Sequence, residues 1–229
     1  MKYYVDTADL ATVKEAFNYF PLNGVTMNPT IAMMDLKGKN IDFFEHAKEV
    51  RSLIGEEREF HIQVVGEQAS EMIKDGERLS QEISGNLFVK IPACSEGYKA
   101  MRTLTEKGIQ VTATAIIDLN QAMMSAASGA KYVAPYVNRI SNIASDGDKV
   151  LKNIVTALQL SEYDTRVVGA SFKNALQVEK SAIAGAYGAA LGYDVLKACG
   201  DHLLTEKSIK QFTLDWEATF GEGSLIYNL

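Results

Sequence analysis

Short apolar runs alternate with longer stretches of helical period along the whole chain, and that alternation limits the fold more than any other feature. Lys2–Asp6, Gly24-Val25-Thr26, Phe60–Val65, Leu87–Pro92, Ile109–Thr114, Lys131–Ala134 and Arg166–Ala170 read as strands. An eighth is expected near Ala189–Tyr193, although Ala-Ala-Leu-Gly carries little β preference. Between the strands lie helical patterns. Asp9 to Phe20 places Leu10, Val13, Phe17 and Phe20 on one face. Asn28-Pro29 reads as a turn, and Ile41–Ile54 as a helix closed by Gly55. Further helices are expected over Ala69–Ile83, from Ser95-Glu96 to about Gly108, from Asp118 to Ser128, over Asp148–Gln159 and over Asn174–Ala184. Two more finish the chain, near Val195–Cys199 and from Thr205 to Phe220. Eight βα units in 229 residues, with no low-complexity linker, predict one α/β domain. It would be a (β/α)8 barrel over residues 1–229 with an additional C-terminal helix at about 205–220. The alternative is a doubly wound open sheet, but the glycine fingerprint of a dinucleotide fold is absent.

Charge and cysteine usage narrow the function. A net charge of −6 argues against a nucleic-acid or acidic-membrane partner, while leaving room for a small anion in a locally basic pocket. Cys94 and Cys199 lie far apart, which is no disulfide framework and fits a reducing cytoplasm. His46, His61 and His202 show no metal-ligand spacing, so neither a metal nor a cofactor is expected. Asp6 and Asp9 interrupt any signal-peptide pattern, and Pro21, Asn23, Asn28 and Pro29 break the uncharged run from Ala16 to Met34 as a membrane span.

Within the fourth run, four of the six residues in Leu87-Phe88-Val89-Lys90-Ile91-Pro92 are large and apolar, and Lys90 stands among them. An ammonium is costly to bury, and the usual response is a lowered pKa. An uncharged lysine attacks carbonyl carbon, so the position suits a Schiff base. The bland alternative is a lysine that ends an edge strand and reaches water. In a barrel the chemistry gathers at the C-terminal ends of the strands. The polar residues there are Asp6, Thr26, Asn28, Gln63, Lys90, Thr114, Tyr136, Asn138, Arg139, Ser171 and Lys173. Each has a structural use: Asp6 as a helix cap, Asn28 in a turn, Gln63 and Thr114 bonded to backbone, Tyr136 as a half-buried ring, Arg139 as a solvated charge. Together they fit one pocket. Lys90 would form the imine, Tyr136 shuttle a proton and Asp6 hold hydroxyls or the ammonium. Arg139 with Ser171 would suit a phosphate. Cys94 is a rival nucleophile without an evident histidine partner.

Val5-Asp6-Thr7, Gly24-Val25-Thr26-Met27-Asn28-Pro29-Thr30, Val89-Lys90-Ile91-Pro92, Ala134-Pro135-Tyr136-Val137-Asn138-Arg139 and Ala170-Ser171-Phe172-Lys173 together resemble the short-type transaldolase family. The resemblance runs on through Asp215-Trp216 and Phe220-Gly221. It implies a barrel with its Schiff-base lysine at Lys90, and Asp6 and Asn28 on substrate hydroxyls. It also implies a catalytic water held by Gln63, Thr114 and Tyr136, and a phosphate on Arg139 and Ser171. The partner implied is a sugar phosphate, in a homo-oligomer of five or ten subunits whose last helix reaches over a neighbour. The reaction implied is reversible cleavage of fructose 6-phosphate to dihydroxyacetone and glyceraldehyde 3-phosphate. The alternative is transfer of the dihydroxyacetone unit to erythrose 4-phosphate. By resemblance a glutamine at position 63 goes with free cleavage and a glutamate with transfer. A third reading is a sugar-phosphate binder without catalysis. Two departures stand out: Met27 replaces a small polar residue and is expected to narrow the pocket or alter the donor, and the eighth strand lacks the usual Ile-Thr-Leu-Pro-like pattern.

Overall fold

Asx residues start six of the helices in the computed structural model, which describes residues 1–38 and 40–229. Asp9, Asn28, Asp42, Asp118, Asp146 and Asn174 each accept a backbone N–H of the first turn, satisfying a donor that the helix cannot. The first units are β1 (Lys2–Asp6), α1 (Leu10–Tyr19), β2 (Gly24–Met27), α2 (Pro29–Leu36), α3 (Phe43–Ile54), β3 (Glu59–Gln63) and α4 (Ala69–Glu82). Then come β4 (Leu87–Pro92), α5 (Ser95–Glu106), β5 (Val111–Ile116), α6 (Leu119–Ala127), β6 (Tyr132–Pro135), α7 (Val137–Asn142) and α8 (Gly147–Gln159). The chain ends with β7 (Arg166–Gly169), α9 (Ala175–Ile183), β8 (Gly188–Leu191), α10 (Tyr193–Gly200), α11 (Leu203–Phe220) and a 3-10 turn at Ile226–Asn228.

The eight strands pair in sequence order, all parallel, and β1 meets β8 through Lys2↔Gly188 to Val5↔Leu191. This is the closed (β/α)8 barrel that the alternation predicts. Strand geometry sends successive side chains to opposite faces, so each strand serves two cores. Val5, Val25, Ile62, Val89 and Ala113 pack outward under the helices. Tyr4, Phe88, Tyr132, Ala134, Val168 and Ala190 cluster inside the barrel. Large rings fit there because their neighbours are small. A Cβ on Gly188 would lie 2.9 Å from the Tyr4 ring, and one on Gly24 would lie 1.9 Å from the Glu59 carbonyl oxygen.

Several sequence expectations shift. Asn28-Pro29 begins α2, with Asn28 as the cap and Pro29 in the first turn, where its missing N–H costs nothing. The short helix α7 follows Tyr136 where only a connection was expected. The third strand ends at Gln63, and Val65 is exposed with its N–H on Asp75 Oδ2 at 2.9 Å. The fifth strand begins at Val111, because Ile109 N–H bonds back to Leu104 O at 3.0 Å. The eighth spans Gly188–Leu191, and Tyr193 opens α10.

Candidate active site

Parity and register assemble the pocket before any side chain is considered. Asp6 pairs with Thr26, Gln63 with Lys90, and Lys90 with Thr112 across adjacent strands. All belong to the inward set, and Asp6, Thr26, Gln63 and Lys90 lie toward the C-terminal ends of their strands, whereas Thr112 lies near the start of β5. Lys90 is 5 % exposed, so the amine sits at the bottom of an opening and not on an edge. Its neighbours Val89 and Ile91 point outward into the helix-facing core. The bland reading of Lys90 as a snorkelling strand end therefore does not hold.

Around the amine the polar groups are paired in ways that leave particular atoms open. Thr26 Oγ1 donates to Asp6 Oδ1 at 2.6 Å, fixing that carboxylate. Helix α1 is capped by Asp9, whose Oδ2 accepts from Thr12 N–H at 2.9 Å, so Asp6 is released from that duty. Thr114 Oγ1 and Tyr136 Oη lie 3.1 Å apart. Gln63 Oε1 is buried with no hydrogen-bond partner among the described residues. A buried acceptor without a donor is costly unless a ligand or water meets it.

The rim is built from the βα connections. Asn28 Oδ1 is taken by Ile31 N–H at 3.1 Å, and its amide nitrogen carries the remaining donors. Helix α2, which carries Asn28, is fastened by Asp35. Its Oδ2 accepts from Thr7 Oγ1 and Ala8 N–H, both at 2.8 Å, directly after Asp6. On the opposite side Tyr136 bridges to Ala170, and Asn138 N–H donates to Ser171 O at 3.1 Å. These bonds lock the segments after β6 and β7 together. Ser171 has φ +59°, a conformation most residues avoid, and it turns the chain sharply at the rim. Arg139 is exposed, its guanidinium 4.9 Å over the Tyr136 ring, and among the described residues no carboxylate pairs with it. Asn138 Oδ1 accepts from Gln177 of α9 at 3.3 Å, tying that helix to the rim.

The expectation for Met27 is corrected. Its side chain is on the outward face of β2, among the helix-facing core, so it cannot narrow the barrel mouth. With Ala32, Phe43, Phe44 and Leu79 it lines a cavity of about 430 Å³ to which Asn28 and Gln63 also contribute. Reading strand ends alone also missed what lies beneath the pocket. Glu59, His61 and Thr112 point inward below the Lys90 level, and the alternation Glu59-Phe60-His61-Ile62-Gln63 carried that signal.

A family model described as "Transaldolase/Fructose-6-phosphate aldolase" matches residues 3–223. A Streptococcus pneumoniae protein named "Probable fructose-6-phosphate aldolase" is 33% identical over 216 residues, covering 94% of this chain and 96% of the relative. A "Probable transaldolase" of Geobacillus sp. is 33% identical, covering 94% and 98%. One of Agathobacter rectalis is 34% identical over 222 residues, covering 97% and 100%. Among solved structures, a mandelate oxidase variant superimposes with a TM-score of 0.59 at 14% identity, covering 86% of this chain and 67% of that one. At that identity the likeness concerns the barrel alone.

Proposed function

The chain belongs to the transaldolase/fructose-6-phosphate aldolase family, and on that premise we propose that it cleaves fructose 6-phosphate reversibly into dihydroxyacetone and glyceraldehyde 3-phosphate through an imine on Lys90. The observation that carries this reading is the pocket floor: Lys90, nearly enclosed, beside Gln63 with its unpartnered acceptor. Lys90 Nζ adds to the ketose C2 carbonyl, and loss of water gives the protonated imine. A base removes the C4 hydroxyl proton, and the C3–C4 bond breaks. Its electron pair moves to C3 as the enamine while the aldehyde leaves. Protonation at C3 and addition of water release dihydroxyacetone and restore the amine. Asp6, held by Thr26, orients substrate hydroxyls. Tyr136 moves the proton through a water that Gln63 Oε1 and Thr114 hold. Arg139 and Ser171 take the phosphate at the rim.

The second reading is a transaldolase, in which the enamine waits for erythrose 4-phosphate; relatives carry both names. Gln63 favours free cleavage, because an amide cannot take the proton and leaves it with Tyr136 and its water. As further parts of the proposal, the enzyme works in the reducing cytoplasm as a homo-oligomer of five or ten subunits, without nucleic acid or membrane. Fructose 6-phosphate supplied alone, then with erythrose 4-phosphate, decides between the readings. Release of dihydroxyacetone without an acceptor is expected. Sedoheptulose 7-phosphate as the only product would establish transfer instead. Absence of any borohydride-reducible adduct would end both readings and leave a binder.

A further inference from the structure

Asp35 of α2 has no part in the cleavage chemistry, yet its carboxylate ties that helix to the segment directly after Asp6. Helix α2 buries none of its eight residues. Ile31, Ala32 and Leu36 are only partly buried against the core, and Met33 and Met34 are exposed. A helix this short is marginal by itself, so its tilt depends on what fastens it. Asn28 depends on that tilt. Its Oδ1 accepts Ile31 N–H at 3.1 Å, so the side chain is bound to the helix it caps, and its amide donors turn with that helix. Two turns further on, Asp35 Oδ2 accepts from Thr7 Oγ1 and from Ala8 N–H, both at 2.8 Å. Thr7 and Ala8 are themselves held. Thr7 N–H donates to Thr26 O at 3.0 Å, and Thr7 Oγ1 accepts from Asp9 N–H at 3.1 Å. His46 of α3 is buried and its Nε2 lies 2.6 Å from Ala8 O. A carbonyl only accepts, so Nε2 bears the proton and donates it there. The Thr26 hydroxyl donates to Asp6 Oδ1 at 2.6 Å. Hydrogen bonds and the chain itself thus form a closed ring. It runs from Asp6 through Thr7 and Asp35, along α2 to Asn28, and back over β2 to Thr26 and Asp6.

We propose that Asp35 is a positioning residue that sets Asn28 against Asp6, so that substrate hydroxyls meet the two groups at a fixed spacing. The proposal deepens the aldolase reading, in which Asp6 and Asn28 take those hydroxyls, and rests on it. Asp6 is held by Thr26 whatever α2 does. Asn28 is held only to its own helix, so the relation between the two is set where α2 meets Thr7 and Ala8. Without Asp35 the start of α2 stays joined to β2, but its far end loses both bonds and Asn28 swings with it. An apolar side chain at position 35 could pack beside Leu36 without losing hydration. What the carboxylate adds is direction, because two donors from consecutive residues converge on one of its oxygens.

The test compares Asp35→Ala with Asp35→Asn, whose amide oxygen can accept both donors. Borohydride trapping at Lys90 is timed with dihydroxyacetone, which carries hydroxyls, and with acetone, which carries none. Asp35→Ala should slow trapping by dihydroxyacetone about tenfold or more and leave acetone within about twofold of wild type, since a misaimed hydrogen-bonding group matters only to the ketone that uses it. Asp35→Asn should bring dihydroxyacetone back to within about threefold of wild type, because it keeps both bonds in neutral form. Thr7→Val removes one of the same bonds from the other side, so its loss and that of Asp35→Ala should not add in the double variant. If Asp35→Ala does not fold, Thr7→Val is read against the two ketones in its place. Trapping of Asp35→Ala by dihydroxyacetone at the wild-type rate overturns the proposal and leaves the aldolase reading intact. Equal slowing with both ketones does the same, since it marks a disturbed Lys90 and not a misaimed pair. A wild type that dihydroxyacetone never traps overturns the aldolase reading and this proposal with it.

Discussion

At the scale of single residues, Lys90 carries the sharpest expectation. Among the described residues no salt bridge involves it, so Lys90→Met removes a buried amine without stranding a partner charge. The variant should fold and should lose ketose cleavage. Retention of more than about one percent of activity, a barrier change under about 2.7 kcal/mol, is too small for a missing covalent catalyst and would sink the assignment. Below it, Glu59 and His61 make stability depend on pH. Both are lowered from their ordinary values of 4.5 and 6.5, so on acidification the unfolded chain takes up protons that the folded one refuses. Their contribution is complete above about pH 6.5 and is lost as pH falls, first through His61 and then through Glu59. The melting temperature of wild type should drop between pH 6.5 and 5, and His61→Phe should flatten that slope; parallel slopes would place the titration elsewhere. The upper pocket was legible in sequence because its residues end strands. The layer beneath was not, because a buried Glu-x-His inside a strand looks like any alternating segment until closure brings Thr112 and two tyrosines against it.

At the scale of elements, caps and strands were readable where one local signal dominated. Asp118 before an apolar pattern gave α6 correctly. Pro29 supports either a turn or a first helical turn, and only the bond from Ile31 N–H to Asn28 decides for α2. The six residues of α7 are too few to show a period. In β8 the run Gly-Ala-Ala-Leu has no alternation to fix its ends. The connections after β6 and β7 carry their own prediction. Arg139→Ala should lower kcat/KM for glyceraldehyde 3-phosphate about 10- to 100-fold more than for glyceraldehyde, as a charge-assisted bond worth roughly 1.5–3 kcal/mol requires. Equal losses on the two aldehydes would remove Arg139 from phosphate binding. Gly24 tests the close approach of β2 and β3. Since a Cβ would meet the Glu59 carbonyl at 1.9 Å, Gly24→Ala must push backbone aside. It should cost about 3 kcal/mol or more in urea unfolding, beyond ordinary overpacking of about 1–3 kcal/mol because neither strand has a rotamer to give. A cost below that of a typical surface change would show that the strands separate freely.

At the scale of the whole molecule, the barrel follows from local alternation repeated eight times, since each βα unit constrains the next and closure hides every edge. Helix α11 does not follow from that logic. None of its 18 residues is buried, although Leu204 is 64%, Ile209 58%, Phe212 68% and Leu214 60% exposed. The segment after it adds Ile226 at 82% and Tyr227 at 85%. A helix in a globular protein gains most of its stability from the face it buries, and α11 buries none of its residues within this chain. The proposed homo-oligomer supplies the missing cover, with α11 lying on a neighbouring subunit. Phe212→Glu separates this from a solitary helix. In a monomer the substitution sits on an exposed face and should change stability by no more than about 0.5 kcal/mol. In an oligomer it places a carboxylate in an apolar interface, where desolvation without a partner opposes assembly. Sedimentation of wild type should give a mass near five or ten times 25.1 kDa, with a melting temperature that rises with protein concentration. Phe212→Glu should sediment at lower mass and lose that concentration dependence. A wild type that sediments at 25.1 kDa, or a variant of unchanged mass, would return α11 to solvent and require another source for its order.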